Sequence, residues 1–98
     1  MKDLIEALNI LSKYVKSYYC SQYPTACEHD ILYVCGIDFD KITLEEIHKL
    51  AKLGFLPGAD EEVYIFKETN FENITQETWD NIKNRLTYCF RSYRFGSC

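Results

Sequence analysis

The sequence contains few of the features that mark several common classes of protein. Its four glycines are too few and too scattered for a phosphate-binding loop, and it has only two prolines. Its longest apolar run is far shorter than the roughly 20 residues that a membrane-crossing helix needs. The N-terminal stretch carries Asp3 and Glu6 within its apolar pattern and lacks a small-residue cleavage site, so it does not fit a signal peptide. We therefore expect a cytoplasmic protein without a membrane partner.

Metal-binding motifs of the well-known spacings are also missing. Five cysteines and two histidines are present, but they form neither a Cys-x-x-Cys pair nor a His-x-x-x-His motif. In the cytoplasm we expect thiols or metal ligands rather than disulfides. A zinc ion would take four nitrogen or sulfur ligands, for which the candidates are Cys20, Cys27, His29 and Cys98, with Cys89 as an alternative to Cys98. The competing hypothesis is no cofactor, with Cys35 and Cys89 as small core residues.

The chain is rich in apolar and acidic side chains. At 98 residues, 47% hydrophobic and 27% charged, it is typical of one compact folded domain spanning residues 1–98. Its net charge of −4 is unevenly spread, because residues 28–80 are strongly acidic whereas residues 81–98 hold four cations and no acid. Such asymmetry favours a partner that is guided by electrostatic attraction.

Apolar periodicity and capping signals predict three helices and three strands. Apolar spacings of three and four predict a helix over residues 3–19. Thr43 and Glu46 form a capping-box signature for a second helix, Gly54 ends it, and Thr75 begins a third. The predicted strands are ILYVCGI (31–37), EEVYIFK (61–67) and TYCFRSYRF (87–95).

The order of these elements, α-β-α-β-α-β, predicts an α/β fold with a small three-stranded sheet and helices packed on it. Right-handed crossovers would make the sheet mainly parallel, although an antiparallel terminal strand fits the same pattern. Within this order, FDKITLEEIHKL (39–50) aligns with FENITQETWDNI (71–82) at an offset of 32 residues. The similarity is either an internal duplication or repeated use of one way to begin a helix.

Two parts of the sequence are candidates for binding a macromolecule. An acidic surface can occupy a basic groove that is built for a nucleic-acid backbone. The residues predicted for it are Asp38, Asp40, Asp60, Glu61, Glu62, Glu68 and Glu72. The alternative is the terminal strand, where Arg91, Tyr93 and Arg94 would stack on bases. The negative net charge argues against direct nucleic-acid binding.

No catalytic motif is present in the sequence. A nucleophilic cysteine needs a positioned base and donors for the developing oxyanion, and the residues near Cys27 and His29 build no obvious oxyanion hole. His48 follows on a helix beside Lys49, where we expect it to be solvated. We therefore predict that the chain is not an enzyme.

Three segments of the chain resemble a known group of proteins. They are CEHDILYV (27–34), LAKLGF (50–55) and SYRFGSC (92–98). The group consists of short, functionally uncharacterised proteins of bacteriophages and integrated elements, and residues 68–87 look like an addition to its shorter members. The resemblance implies that the first predicted strand is central, with the terminal strand paired beside it. It also implies that Cys27, His29 and Cys98 converge.

The resemblance further implies a phage accessory protein in an infected or lysogenic bacterial host. That class includes small acidic inhibitors of host defence such as anti-CRISPR proteins. We therefore expect a non-catalytic protein that binds and inhibits a host nucleic-acid-handling or defence protein through a basic groove on that partner. The alternative is a small zinc-stabilised nucleic-acid-binding module that uses the basic, aromatic C-terminal strand. The cofactor is accordingly either none or one structural zinc ion.

Overall fold

The structure, a computed structural model, describes residues 2–15, 31–59, 62 and 69–95, and the backbone of residues 25–28. Its elements follow in the order α-β-β-α-β-α-β. The helices are α1 (Lys2–Ser12), α2 (Leu44–Lys52) and α3 (Gln76–Ile82), which a 3-10 turn at Lys83–Arg85 continues; the strands are β1 (Thr25–Glu28), β2 (Ile31–Cys35), β3 (Leu56–Pro57) and β4 (Cys89–Ser92). The predicted α/β class, with helices packed on a small sheet, is confirmed.

The four described strands form one sheet in the order β1-β2-β4-β3, and each described pair of strands is antiparallel. The expectation of a mainly parallel sheet is therefore wrong, and the antiparallel terminal strand that the sequence left open is the arrangement observed. Only residues 29 and 30 separate β1 from β2, and so short a connection permits only an antiparallel pair. The central pair is β2 with β4, as the resemblance to phage proteins implied. The strand predicted over residues 61–67 lies outside the described residues, apart from Glu62.

Helix α1 ends at Ser12, well before the end that its apolar spacing predicted. Beyond it, Val15 forms an antiparallel bridge with Ile37, and the amide of Asp38 donates to the carbonyl oxygen of Tyr14 at 2.8 Å. Val15 fits a helical spacing, but it packs against the core from an extended backbone, which its β-branched side chain favours. Periodicity could not separate these two conformations, because both bury the same side chain.

The segments that lead into α2 and α3, each with the first three residues of its helix, have nearly the same geometry. We call them the helix starts (residues 38–46 and 70–78). Their N-cap residues have φ and ψ of −85° and 157° at Thr43 and of −85° and 160° at Thr75. Each threonine side chain accepts a hydrogen bond from the amide three residues later. The predicted capping box is complete at Thr43, because the Glu46 carboxylate accepts from the Thr43 amide in return.

The turns ahead of these caps are equivalent as well. The amide of Asp40 donates to Oδ1 of Asp38 at 3.1 Å, and the amide of Glu72 donates to Oδ1 of Asn70 at 3.0 Å. Short side chains that accept from the backbone two residues later stabilise such turns locally. The sequence similarity therefore corresponds to a repeated local structure that includes one residue before the aligned segments.

The hydrophobic core lies between the sheet and the helices. Phe39 is at its centre, where its ring centroid lies 5.2 Å from that of Trp79 and 5.7 Å from that of Phe90. The other enclosed side chains include Ala7, Leu11, Val34, Ile47, Leu50, Phe55, Phe71 and Ile82. Because residues alternate between the two faces of a strand, Phe90 faces this core while Arg91, the next residue of β4, lies on the opposite face.

Candidate functional site

The two helix starts lie against each other. Phe39 of the first contacts Trp79 of α3 through their rings. The Nε2 atom of His48 in α2 lies 2.7 Å from the carbonyl oxygen of Ile74 in the second helix start. The prediction that His48 is solvated is therefore wrong, since its side chain is half-buried against the second helix start.

Lys83 links the first helix start to α3 at the surface. Its Nζ atom lies 3.3 Å from Oδ1 of Asp40 and 3.5 Å from Oδ1 of Asp80. Burial alone would lower the pKa of Lys83, but the hydrogen bonds and negative charges of both carboxylates raise it above the usual value. The lysine thus stays charged and holds Asp40 of the first helix start close to Asp80 of α3.

Exposed carboxylates occupy equivalent positions at both helix starts. Asp40 corresponds to Glu72 and Glu45 corresponds to Glu77 at the same offset of 32 residues, and all four side chains are exposed. Carboxylates at the start of a helix are favoured by its dipole, which accounts for part of this placement. We call these four residues the acidic helix starts.

Other residues predicted for the acidic surface have internal roles. Asp38 is half-buried, and its carboxylate accepts from the amide of Asp40. The Glu62 carboxylate accepts from the amide of Ala59 at 2.7 Å and from the amide and hydroxyl of Thr87 at 3.0 and 3.1 Å. Glu62 therefore ties the segment after β3 to the approach of β4. Asp60, Glu61 and Glu68 lie outside the described residues.

Arg91, the leading nucleic-acid candidate of the sequence, is enclosed. Only 3% of the surface of Arg91 is exposed to solvent. The Nη1 group donates to the carbonyl oxygens of Pro57 at 2.7 Å and Gly58 at 3.1 Å, and Nε donates to the hydroxyl of Tyr93 at 3.1 Å. The guanidinium thus holds the sheet edge at β3, while Tyr93 is 48% exposed.

Arg94 is also engaged within the molecule. Its Nη2 atom lies 2.8 Å from Oδ2 of Asp3, and Nη1 donates to the carbonyl oxygen of Leu53 at 3.4 Å. The guanidinium carbon lies 4.9 Å from the ring centroid of Phe95. The charge of Arg94 is therefore balanced by a carboxylate of α1.

Comparison with known proteins adds no relative. No protein-family model, curated protein or solved structure matches the chain.

The four predicted zinc ligands cannot be located within the described part of the chain. Cys20, His29 and Cys98, and the side chain of Cys27, lie outside it. Among the described residues, no group of three histidine, cysteine, aspartate or glutamate side chains is placed to hold a metal ion. The zinc site therefore stays a prediction. Nor does the described part contain a helix that is both long and apolar enough to cross a membrane.

Glu46 is held as a carboxylate by a network of donors. It accepts from Nζ of Lys13 at 2.7 Å and from the hydroxyl of Tyr14 at 2.5 Å, besides the amide and hydroxyl of Thr43. Burial acts to raise the pKa of Glu46, but these hydrogen bonds together lower it from 4.5 to about 2. Such a carboxylate is a structural anchor between α1 and α2 rather than an acid or base for catalysis near neutral pH.

Sequence reasoning missed the roles of Lys83 and Glu46 at this surface. Lys83 follows Asp80 by three residues, a helical spacing that favours an ion pair and was a usable signal. Its contact with Asp40 joins residues that are far apart in the sequence, and no local signal predicted it. Glu46 was assigned to the capping box alone, because its partners in the α1 region lie more than thirty residues away.

Proposed function

We propose that the chain is a small acidic accessory protein that binds a host nucleic-acid-handling or defence protein and inhibits it without catalysis. The acidic helix starts are its binding surface, and they occupy a basic groove that otherwise holds a nucleic-acid backbone. The observation that carries this proposal is a contrast in exposure. The acidic helix starts present four exposed carboxylates, whereas the guanidinium of Arg91 is buried against carbonyl groups.

The alternative, a zinc-stabilised nucleic-acid-binding module, is less well supported. It requires the cations of the terminal strand to contact phosphates. Arg91 would have to give up its carbonyl partners, whereas Arg94 is half-exposed and already paired with Asp3. The resemblance to phage accessory proteins favours a host defence protein as the partner, and a CRISPR nuclease fits both the charge and the basic groove.

Inhibition of DNA cleavage by a panel of purified CRISPR nucleases tests the proposal. Glu45→Gln/Glu77→Gln removes one carboxylate from each helix start, and Asn9→Lys/Asn84→Lys raises the net charge equally at exposed positions elsewhere. We expect the first variant to weaken inhibition of the sensitive nuclease at least about tenfold, and the second to change it little.

Each outcome of this experiment decides a separate point. A chain that inhibits no nuclease of the panel contradicts the proposed partner class. Equal loss in both variants would mean that overall charge matters and the helix starts do not. Binding of the wild-type chain to a single-stranded oligonucleotide, with affinity falling steeply as salt rises, would instead support the nucleic-acid alternative.

A further inference from the structure

Cys35 and Cys89 lie directly opposite each other in the central strand pair, β2 with β4. The carbonyl of Cys89 accepts from the amide of Gly58 at 2.7 Å, and so points towards β3. The preceding carbonyl, that of Tyr88, accepts from the amide of Ile37 at 2.9 Å and points the other way. Because the N–H and C=O of one residue point to the same side of an antiparallel strand, Cys35 and Cys89 form a non-hydrogen-bonded pair.

This kind of pair has the spacing that a disulfide needs. In non-hydrogen-bonded pairs the Cα atoms are about 4.5 Å apart and the side chains share one face of the sheet. Disulfides join residues whose Cα atoms are about 4.4 to 6.8 Å apart. Both residues are thiols here. We propose that Cys35 and Cys89 form a redox pair, which interconverts between two thiols and a cross-strand disulfide.

The reaction needs an oxidant, and a low-molecular-weight disulfide such as oxidised glutathione suffices. The thiolate of half-buried Cys35 attacks one sulfur of glutathione disulfide and releases the first glutathione thiolate. The thiolate of Cys89 then attacks the Cys35 sulfur and releases the second. Two protein thiols are oxidised, one glutathione disulfide is reduced, and the two released thiolates take up the two protons.

The environment of Cys89 sets the pace of the second step. Burial, followed by the neighbouring Cys35 and Glu62, raises the pKa of the Cys89 thiol to about 12. Few molecules hold it as a thiolate at neutral pH, so closure of the disulfide is slow there and accelerates as the pH rises.

The disulfide would close a loop that contains α2, α3 and both helix starts. Constraining so long a loop restricts the unfolded chain, so the oxidised form should melt more than about 10 °C above the reduced form. The pair would thus couple the redox state of the surroundings to the stability of the sheet, whether or not the proposed inhibitory function is correct.

Peptide mapping of the folded wild-type chain tests the pair directly. After incubation with oxidised glutathione at mildly alkaline pH, digestion without reduction should yield a Cys35–Cys89 cross-linked peptide that lacks two hydrogen atoms. The melting temperature should rise, and dithiothreitol should reverse both changes. Separate glutathione adducts on the two residues, an unreacted Cys35, or a cross-link that forms only in urea would each overturn the proposal.

Variants separate this pair from the other three cysteines. Cys20→Ser/Cys27→Ser/Cys98→Ser should give the same cross-link and the same rise in melting temperature. In that background, Cys89→Ser should stop at one glutathione adduct on Cys35, without the stabilisation. Should the triple variant fail to fold, the wild-type peptide map decides the question alone, because it identifies which cysteines are joined.

Discussion

The Nε2 atom of His48 lies 2.7 Å from the carbonyl oxygen of Ile74. A carbonyl oxygen can only accept, so the imidazole carries a hydrogen on this nitrogen and donates it. The contact joins α2 to the second helix start. Two segments of similar sequence are thereby packed together, and their exposed carboxylates are the residues proposed to bind a partner.

Removing this imidazole should weaken the packing of α2 against the second helix start. We expect His48→Ala to lower the free energy of unfolding by about 1 kcal/mol, the usual worth of a partly buried hydrogen bond. Urea unfolding measures the effect, with Lys52→Ala as the exposed control in the same helix, which should change stability by less than about 0.5 kcal/mol. Alanine favours a helix at least as well as histidine or lysine, so helix propensity cannot cause a loss, and a His48→Ala variant as stable as the wild type would contradict the contribution of this hydrogen bond.

The two N-caps should contribute similar amounts of stability. Thr43→Ala and Thr75→Ala each remove a side-chain acceptor for the amide three residues later, and we expect each to cost about 1 kcal/mol. The loss should be the larger at Thr43, because Glu46 also depends on that residue. Thr→Ser at each position keeps the acceptor and should restore most of the stability in thermal or urea unfolding. Serine variants as unstable as the alanine variants would rule out capping as the cause.

Glu46 should make the stability of the protein depend on acidic pH. Its pKa falls from 4.5 in the unfolded chain to about 2 in the folded one, so the ionised form stabilises the fold fully above pH 4.5. This contribution, about 3 kcal/mol, is lost as the pH falls towards 2. Urea unfolding of the wild type and Glu46→Gln should show a difference at neutral pH that shrinks in acid. The exposed neighbour variant Glu45→Gln should show a small difference at every pH, and a constant difference for Glu46→Gln would contradict the assignment.

Arg91 should act on stability through the carbonyl groups that it satisfies. Arg91→Met keeps much of the volume but leaves the carbonyl oxygens of Pro57 and Gly58 without their guanidinium donor. We expect a loss of at least about 2 kcal/mol in urea unfolding, since hydrogen bonds from charged groups are among the stronger ones. Lys52→Met, at an exposed position near the end of α2, is the matched control and should cost less than about 0.5 kcal/mol. An Arg91→Met variant as stable as the wild type would mean that the guanidinium is not required for the fold and is available to bind a partner.

Local signals in the sequence predicted the parts of the fold that depend on local chemistry. Thr43 and Thr75 cap helices as expected, and Gly54 follows α2 with a φ of +97°, which glycine adopts at little cost. The direction of β4 relative to β2 depends on how distant segments pair, and no local pattern encodes it. The same holds for the burial of Arg91, because its carbonyl partners lie more than thirty residues away.

The candidate site was predictable only as a pattern of charge. Asp40 and Glu72 are exposed as the sequence predicted, whereas Glu62 has a charge of the same sign but is bound by backbone and hydroxyl donors. Composition gives the number of carboxylates in a segment. Which of them face solvent depends on tertiary contacts such as that between Glu62 and Thr87.

The hydroxyl group of Ser92 is buried without a hydrogen-bond partner in the described part of the chain. The residue is 0% exposed, and its Oγ atom has no hydrogen-bond partner among the described residues. Removing an unsatisfied buried hydroxyl relieves its desolvation cost, so Ser92→Ala should raise the free energy of unfolding by about 0.5–1 kcal/mol. Ser12→Ala is the control, because that hydroxyl is exposed and donates to the carbonyl oxygen of Asn9 at 3.0 Å, and it should bring no gain. A loss of 1 kcal/mol or more, roughly the worth of one hydrogen bond, in Ser92→Ala would instead mean that the hydroxyl is bound in solution, since a bare cavity of one oxygen atom is too small to cost that much.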